Sequence, residues 1–317
     1  MPRIRTCPAL ALAIVFMLPA APSQATVSRS YVASYGDDAN TAYSCDFAHP
    51  CRTFAAALTQ TTSGGEILAV DGSGYGPVTI DRSVAIIANP GVFAGIGVFS
   101  GSGVTIATAG VSVTLRGLTL NGQGGNYGVY MTGGSRLSIE NCVVAGFAAS
   151  GQGGIVVDTP ATVRVLDSIV RDNYNGIWLR AGATSSISRS TLLGNTFSAI
   201  YVQGNTAGAT TAAAISDTTL AGNHVGAYAY ATTASATARV QVIRSSATNG
   251  TYGFASEATN GTASLTLSGS MVTGNSFYGL YQVVSGGGAS TLKSLGNNTV
   301  TDNSTNVVGT VTPVPAL

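Results

Sequence analysis

The chain has 317 residues, a net charge of +1 and 9% charged residues, against about 25% in ordinary soluble domains. It therefore lacks the high net charge that keeps a chain disordered. It also lacks the basic surface that nucleic acid or an anionic membrane would need, and those partners are excluded.

Arg3 and Arg5, an apolar run over residues 9–18, and the small residues Ser23 and Ala25 mark residues 1–25 as a secretory signal peptide, cleaved before Thr26. The run is too short to span a bilayer, and no other apolar stretch is long enough. A secreted protein, extracellular or periplasmic, with no membrane span is expected. Cys7 would leave with the signal; it precedes the apolar run, which disfavours a lipoprotein anchor. Cys45 and Cys51 enclose the short loop CDFAHPC and, in an exported chain, are expected to be bridged. Cys142 is left over and reads as a buried thiol acting as a small hydrophobe.

Residues 26–63 read as an N-terminal cap. A polar loop over residues 31–51 leads into RTFAAALTQ (52–60), where Phe54, Ala57 and Leu58 fall at helical spacing. Strands are expected at 67–70, 78–80 and 84–88, with a Gly-rich turn at 71–76. A helix before the first coil of a β-solenoid covers strand edges that would otherwise stay unpaired.

Beyond residue 92 helical signals vanish, and short Val-, Ile- and Thr-rich strands alternate with Gly-, Asn- and Ser-containing turns. NYNGIWL (173–179) returns as NTFSAIYV (195–202), NHVGAYAY (223–230), NGTYGFAS (249–256) and NSFYGLYQ (275–282). Successive asparagines lie 22, 28, 26 and 26 residues apart, a period typical of solenoids. No unit of that size buries its own apolar face, so each must stack on the next. An all-β parallel β-helix with a short N-terminal capping helix is expected over residues 64–310, followed by a proline-containing tail at 311–317.

Aligning the repeats on Gly128, Gly154, Gly176, Ala199, Gly226, Gly253 and Gly279 sorts the following positions by strand alternation. Val129, Ile155, Ile177, Ile200, Ala227, Phe254 and Leu280 point inward. Met131, Val157, Leu179, Val202, Ala229, Ser256 and Gln282 do so two residues later. The recurrent Asn173, Asn195, Asn223, Asn249, Asn275 and Asn303 are expected to stack as a structural ladder of turns.

Between the inward columns lies an outward one: Tyr130, Val156, Trp178, Tyr201, Tyr228, Ala255 and Tyr281. Beside it run Thr132, Asp158, Arg180, Gln203, Tyr230, Glu257 and Val283. Aromatic rings next to Asp, Arg, Gln and Glu suit an extended glycan, with rings against sugar faces and polar groups against hydroxyls. The same row also serves simply to stabilise cross-strand contacts, and both readings stay open. Asp167, Arg189, Asp217 and Arg244 alternate in sign on successive coils and read as a solvated ion-pair ladder. A catalytic alternative groups Asp167, Arg171, Asp172 and Arg189 as acid, base and charge stabiliser, with Asp158 nearby. His224 and His49 read as solvated or structural, and no residues sit at metal-ligand spacing. No cofactor or metal is expected.

The segments PCRTFAAAL (50–58), GGEI (64–67) and GYGPVTI (74–80), with the N…GI.L coils, resemble the pectin-lyase-like right-handed parallel β-helix superfamily, in particular its exported bacterial repeat proteins. The resemblance covers residues 31–309 and implies a right-handed coil. It leaves activity open, because that superfamily includes polysaccharide lyases, glycoside hydrolases, sugar epimerases, esterases, phage tailspikes and adhesins. The catalytic patterns of its hydrolases do not carry over. The adjacent pair Asp37-Asp38 precedes the cap helix, neither histidine is flanked by glycines, and Lys293 is the only lysine. The expected function is therefore a non-catalytic carbohydrate-interacting or surface protein whose partner is a polysaccharide or cell-surface glycan. A polysaccharide-active lyase or hydrolase, and an adhesive or structural module that binds protein, are the alternatives.

Overall fold

Val-, Ile- and Thr-rich segments too short to stand alone are laid down three per coil. One coil runs through Gly153–Asp158, Thr162–Leu166 and Ile169–Arg171 before Asn175–Arg180 opens the next. A computed structural model describes residues 26–315 of this arrangement. The predicted signal peptide, Cys7 and the last two residues lie outside the described residues. Equivalent strands pair in parallel and build three sheets of twelve, ten and ten strands. They are called here the long sheet (containing Thr162–Leu166), the aromatic sheet (containing Gly153–Asp158) and the short sheet (containing Ile169–Arg171). The chain is an all-β right-handed parallel β-helix, as the repeat and the resemblance imply.

The register agrees with the column alignment. Tyr130, Val156, Trp178, Tyr201, Tyr228, Ala255 and Tyr281 are Cα partners in line along the aromatic sheet. Val129, Ile155, Ile177, Ile200, Ala227 and Phe254 are fully buried on its inner side and join one continuous core. That core turns polar near the C-terminal end, where buried Ser256 bonds Ser290 (2.9 Å) and the Gln282 amide donates to the Ser290 carbonyl (2.9 Å).

The glycine column has a second consequence. Pairing steps over it, from Asn175↔Ser198 to Ile177↔Ile200, so residues three apart share the outer face. A Cβ at Gly226 would lie 2.4 Å from the Gly253 carbonyl oxygen, and glycine is what allows that approach. Tyr127 therefore stacks on Tyr130 at 4.6 Å, and Tyr278 on Tyr281 at 5.3 Å.

Two turn ladders hold the coils in step. After the long sheet, Asn141, Asp167, Arg189, Asp217 and Arg244 take left-handed φ values of 47–51°. Ser168, Ser190 and Ser245, each directly after one of these residues, accept through Oγ from the preceding coil: from Cys142 N–H (3.2 Å), Ser168 N–H (3.2 Å) and Thr218 N–H (3.1 Å). After the short sheet, Asn173 Nδ2 donates to Asn195 Oδ1 (3.1 Å), Asn195 to Asn223 (2.8 Å) and Asn275 to Asn303 (2.7 Å). Asn249 does not belong to this ladder. It is exposed at φ 56°, in the place of Asp172 (φ 57°) and Asp302 (φ 54°). Gly250 takes the ladder position, because a Cβ there would lie 2.2 Å from the Asn223 carbonyl oxygen.

At the N-terminal end, helix Phe54–Gln60 buries Phe54, Ala57 and Leu58. Thr53 caps it by accepting from Ala56 N–H (3.1 Å), and Asp38 accepts from the Arg52 and Thr53 amides (2.8 and 2.9 Å). Cys45 and Cys51 are bridged and buried, and Cys142 is free and buried. The segment read as a polar loop begins differently. Val27–Val32 forms the first strand of the long sheet, parallel to Thr61–Ala69. At the other end Val311–Pro313 adds a twelfth strand within the expected tail. Pro313 is tolerated there because it sits on an edge. Among the described residues no helix is long and apolar enough to cross a membrane.

Candidate functional site

The outer face of the aromatic sheet gathers most of the ring–ring contacts among the described residues. Strands about 4.8 Å apart place equivalent side chains at stacking distance. Trp178 and Tyr201 stack at 5.6 Å, Tyr201 and Tyr228 at 5.3 Å, and Tyr228 and Tyr230 at 5.3 Å. Phe197, from the preceding turn, closes edge-on against Tyr201 at 5.5 Å. Tyr201 is left 6% exposed, whereas Trp178, Tyr228 and Tyr230 are half-buried.

Polar side chains fasten this stack along its edge. Trp178 Nε1 donates to Gln203 (3.2 Å), the Tyr228 hydroxyl to Glu257 (2.5 Å), and the Tyr230 hydroxyl bonds Thr259 (3.1 Å). The Arg180 guanidinium lies 4.3 Å from the Trp178 ring centroid and pairs with Asp158 at 2.8 Å. The predicted residues Asp158, Trp178, Arg180, Tyr201, Gln203, Tyr228, Tyr230 and Glu257 thus form one connected cluster. Tyr130 is apart from it, stacked on Tyr127 beyond Val156, and Tyr281 belongs to a C-terminal group with Tyr252 and Tyr278.

Ring stacking along the axis changes how the face presents itself. Inside the stack each ring uses its faces on its neighbours, and Arg180 lies over Trp178. Ring edges, hydroxyls and charged groups meet solvent there. The row of rings is interrupted at Val156 and at Ala255. At Ala255 this leaves a notch of about 210 Å³, lined by Phe197, His224, Val225, Tyr228, Tyr252, Ala255, Glu257 and Tyr281. Burial and the Glu257 carboxylate raise the pKa of Tyr228, Tyr252 and Tyr281, which stay neutral phenols. Partial burial lowers the pKa of His224, whose ring meets Tyr252 edge-on at 5.4 Å and is neutral at pH 7. Beyond His224 a polar groove of about 470 Å³ follows the turns past Gly194, Thr196, Gly222, Gly250 and Ser276.

The residues weighed for catalysis are not brought together. Asp158 is held by Arg180 on the aromatic face. Asp167 is held by Arg189 through two bonds (2.9 and 3.0 Å), and Arg171 pairs with its neighbour Asp172 at the far end of the strand Ile169–Arg171. No hydrogen bond or ion pair joins these pairs. The alternating ladder is likewise two separate bidentate pairs, Asp167–Arg189 and Asp217–Arg244 (2.8 and 2.9 Å). His49 pairs with Asp46 (3.1 Å) and stacks on Tyr43 in the disulfide loop.

Sequence reasoning missed Tyr174, Phe197, Tyr252 and Tyr278 on this face. The signal for Tyr252 and Tyr278 was present: each directly precedes a column glycine, as Tyr127 does. It also passed over the gap at Ala255 as a mere interruption.

The coil and its outer face define a parallel β-solenoid with one aromatic, polar-edged sheet. A family model for the right-handed β-helix region matches residues 95–305, and the chain belongs to that family. Among solved structures it is similar to pectate lyase Pel9A, with 15% identity, 89% of this chain and 80% of that chain covered, and a TM-score of 0.55. It is also similar to the PL6 family alginate lyase AlyGC, with 14% identity, 92% of this chain but 42% of that chain covered, and a TM-score of 0.43. No curated protein matches the sequence.

Proposed function

We propose that the protein is exported and binds an extended glycan, without cleaving it, along the outer face of the aromatic sheet. The observation that carries this reading is the connected row from Asp158 and Arg180 through Gln203 and Tyr230 to Glu257, ending at an open aromatic notch. Charged and hydroxyl groups along the edge supply hydrogen bonds to sugar hydroxyls, and the notch supplies aromatic walls. The disulfide and the signal-like residues 1–25 support export. The reading is favoured over a glycoside hydrolase because Asp158, Asp167 and Asp172 are each held by an arginine of their own. A general acid–base pair needs two carboxylates facing one bond.

The test is to incubate residues 26–317 with a panel of acidic and neutral polysaccharides and follow retention and product release together. Retention without products is expected. Combined Trp178→Ala and Tyr230→Ala should weaken it about tenfold or more. Tyr201 is left intact because truncating so buried a ring costs about 3–5 kcal/mol of stability. Release of reducing or unsaturated ends would replace this reading with the enzymatic one. Retention of no polysaccharide would leave the protein-binding module.

A further inference from the structure

We infer that the notch at Ala255 is a seat for an alkylammonium cation, so that the glycan it favours carries free amino sugars. The amino-sugar source rests on the glycan reading, whereas the cation seat stands on the notch alone. Ala255 separates Tyr228 from Tyr281 by two strand spacings, about 9.6 Å. Both rings line the notch over Ala255, one strand spacing of about 4.8 Å to either side, which places a group seated there near the roughly 6 Å range over which a cation is attracted to an aromatic ring. Tyr252 forms a third wall, edge-on to Tyr281 at 5.5 Å, and Phe197 a fourth, 6.5 Å from Tyr228.

The charge in the notch has one sign. Glu257 lines it, no Arg or Lys does, and His224 contributes a neutral ring. Glu257 Oε2 accepts from the Tyr228 hydroxyl at 2.5 Å, which fixes the carboxylate beside the rings. A neutral sugar would find the rings but would leave the carboxylate without a countercharge. An ammonium or trimethylammonium group meets both.

Binding of choline and of glucosamine to residues 26–317 is measured by calorimetry. Two neutral counterparts serve as references: 3,3-dimethyl-1-butanol, the carbon isostere of choline, and N-acetylglucosamine. Each cation should bind at least about tenfold more tightly than its counterpart. Preference for choline would assign a quaternary ammonium and preference for glucosamine an amino sugar; either outcome supports the seat. Glu257→Gln keeps the shape and should remove about tenfold of affinity. Ala255→Tyr fills the notch with the residue found above and below it in the column, so it should abolish binding while circular dichroism stays native. Equal affinity for choline and its neutral isostere, or cation binding that survives Ala255→Tyr, overturns the inference. Failure of the glycan reading shows separately, as loss of polysaccharide retention with choline binding intact.

Discussion

Asn195→Ala probes whether the buried asparagine ladder fixes the coils. Asn195 is fully buried and takes part in four side-chain hydrogen bonds: two accepted from Asn173, one donated to Asn223 and one to the Val170 carbonyl. Not all four leave a group stranded. Asn173 Nδ2 keeps Val144 O, and Asn223 Oδ1 keeps the Asn195 amide. The Asn173 N–H is the group orphaned in a dry turn, which costs about 1–3 kcal/mol, and the lost bonds add about 1 kcal/mol each at most. The expected loss is about 3 kcal/mol. Urea unfolding with an unchanged slope is the assay, since a constant slope attributes the shift to stability rather than to compactness. Asn249→Gly is the control. Asn249 stands outside the ladder at φ 56°, where glycine carries no Cβ penalty, so this variant should be neutral or slightly stabilised. Loss below about 1 kcal/mol in Asn195→Ala, or equal losses in both variants, would refute the ladder as a source of stability.

Two further outcomes follow from electrostatics and burial. Burial pushes the Cys142 thiol up to about 11, so Ellman's reagent should find no reactive thiol in the native mature protein and one after urea; rapid native labelling would contradict the packing. Hydrogen bonds from Arg189 and Arg244 hold the Asp167 and Asp217 carboxyls below their ordinary range. Depressed carboxylate pKa values add stability above the unfolded-state pKa, and that stability is lost as pH falls through the folded value. Asp167→Asn with Asp217→Asn keeps a residue tolerant of left-handed φ and should flatten the acid limb of a melting-temperature profile. Parallel acid limbs in variant and wild type would show that the pairs contribute nothing.

Much of the coil was legible because a parallel solenoid repeats its physics. Identical positions stack, so an inward Ile in one coil demands an apolar residue in the next, and the aligned columns give the register directly. Local exceptions were not legible. Asn249 looks like every other turn asparagine, yet the chain passes so close to the Asn223 carbonyl that only glycine fits the ladder position. Val27–Val32 was lost for another reason. It forms an edge strand of a single pass, with no repeat of its own to reveal it.

The site divides along the same line. Strand alternation placed Trp178, Tyr201 and Tyr228 on the outer face, but direction is not exposure. A row of rings about 4.8 Å apart satisfies itself by stacking, which is why Tyr201 is 6% exposed although it points away from the core. The consequence is that a substitution to alanine in such a column does not merely weaken an aromatic surface. It breaks the row of rings between Tyr228 and Tyr281 and leaves a notch there, lined by Tyr252 and Glu257 from the same strand. Ala255 therefore matters more to recognition than most of the aromatics that surround it, and a search for conspicuous side chains is the wrong way to find it. The informative signal is the missing ring, together with a carboxylate, Glu257, two residues further along the same strand.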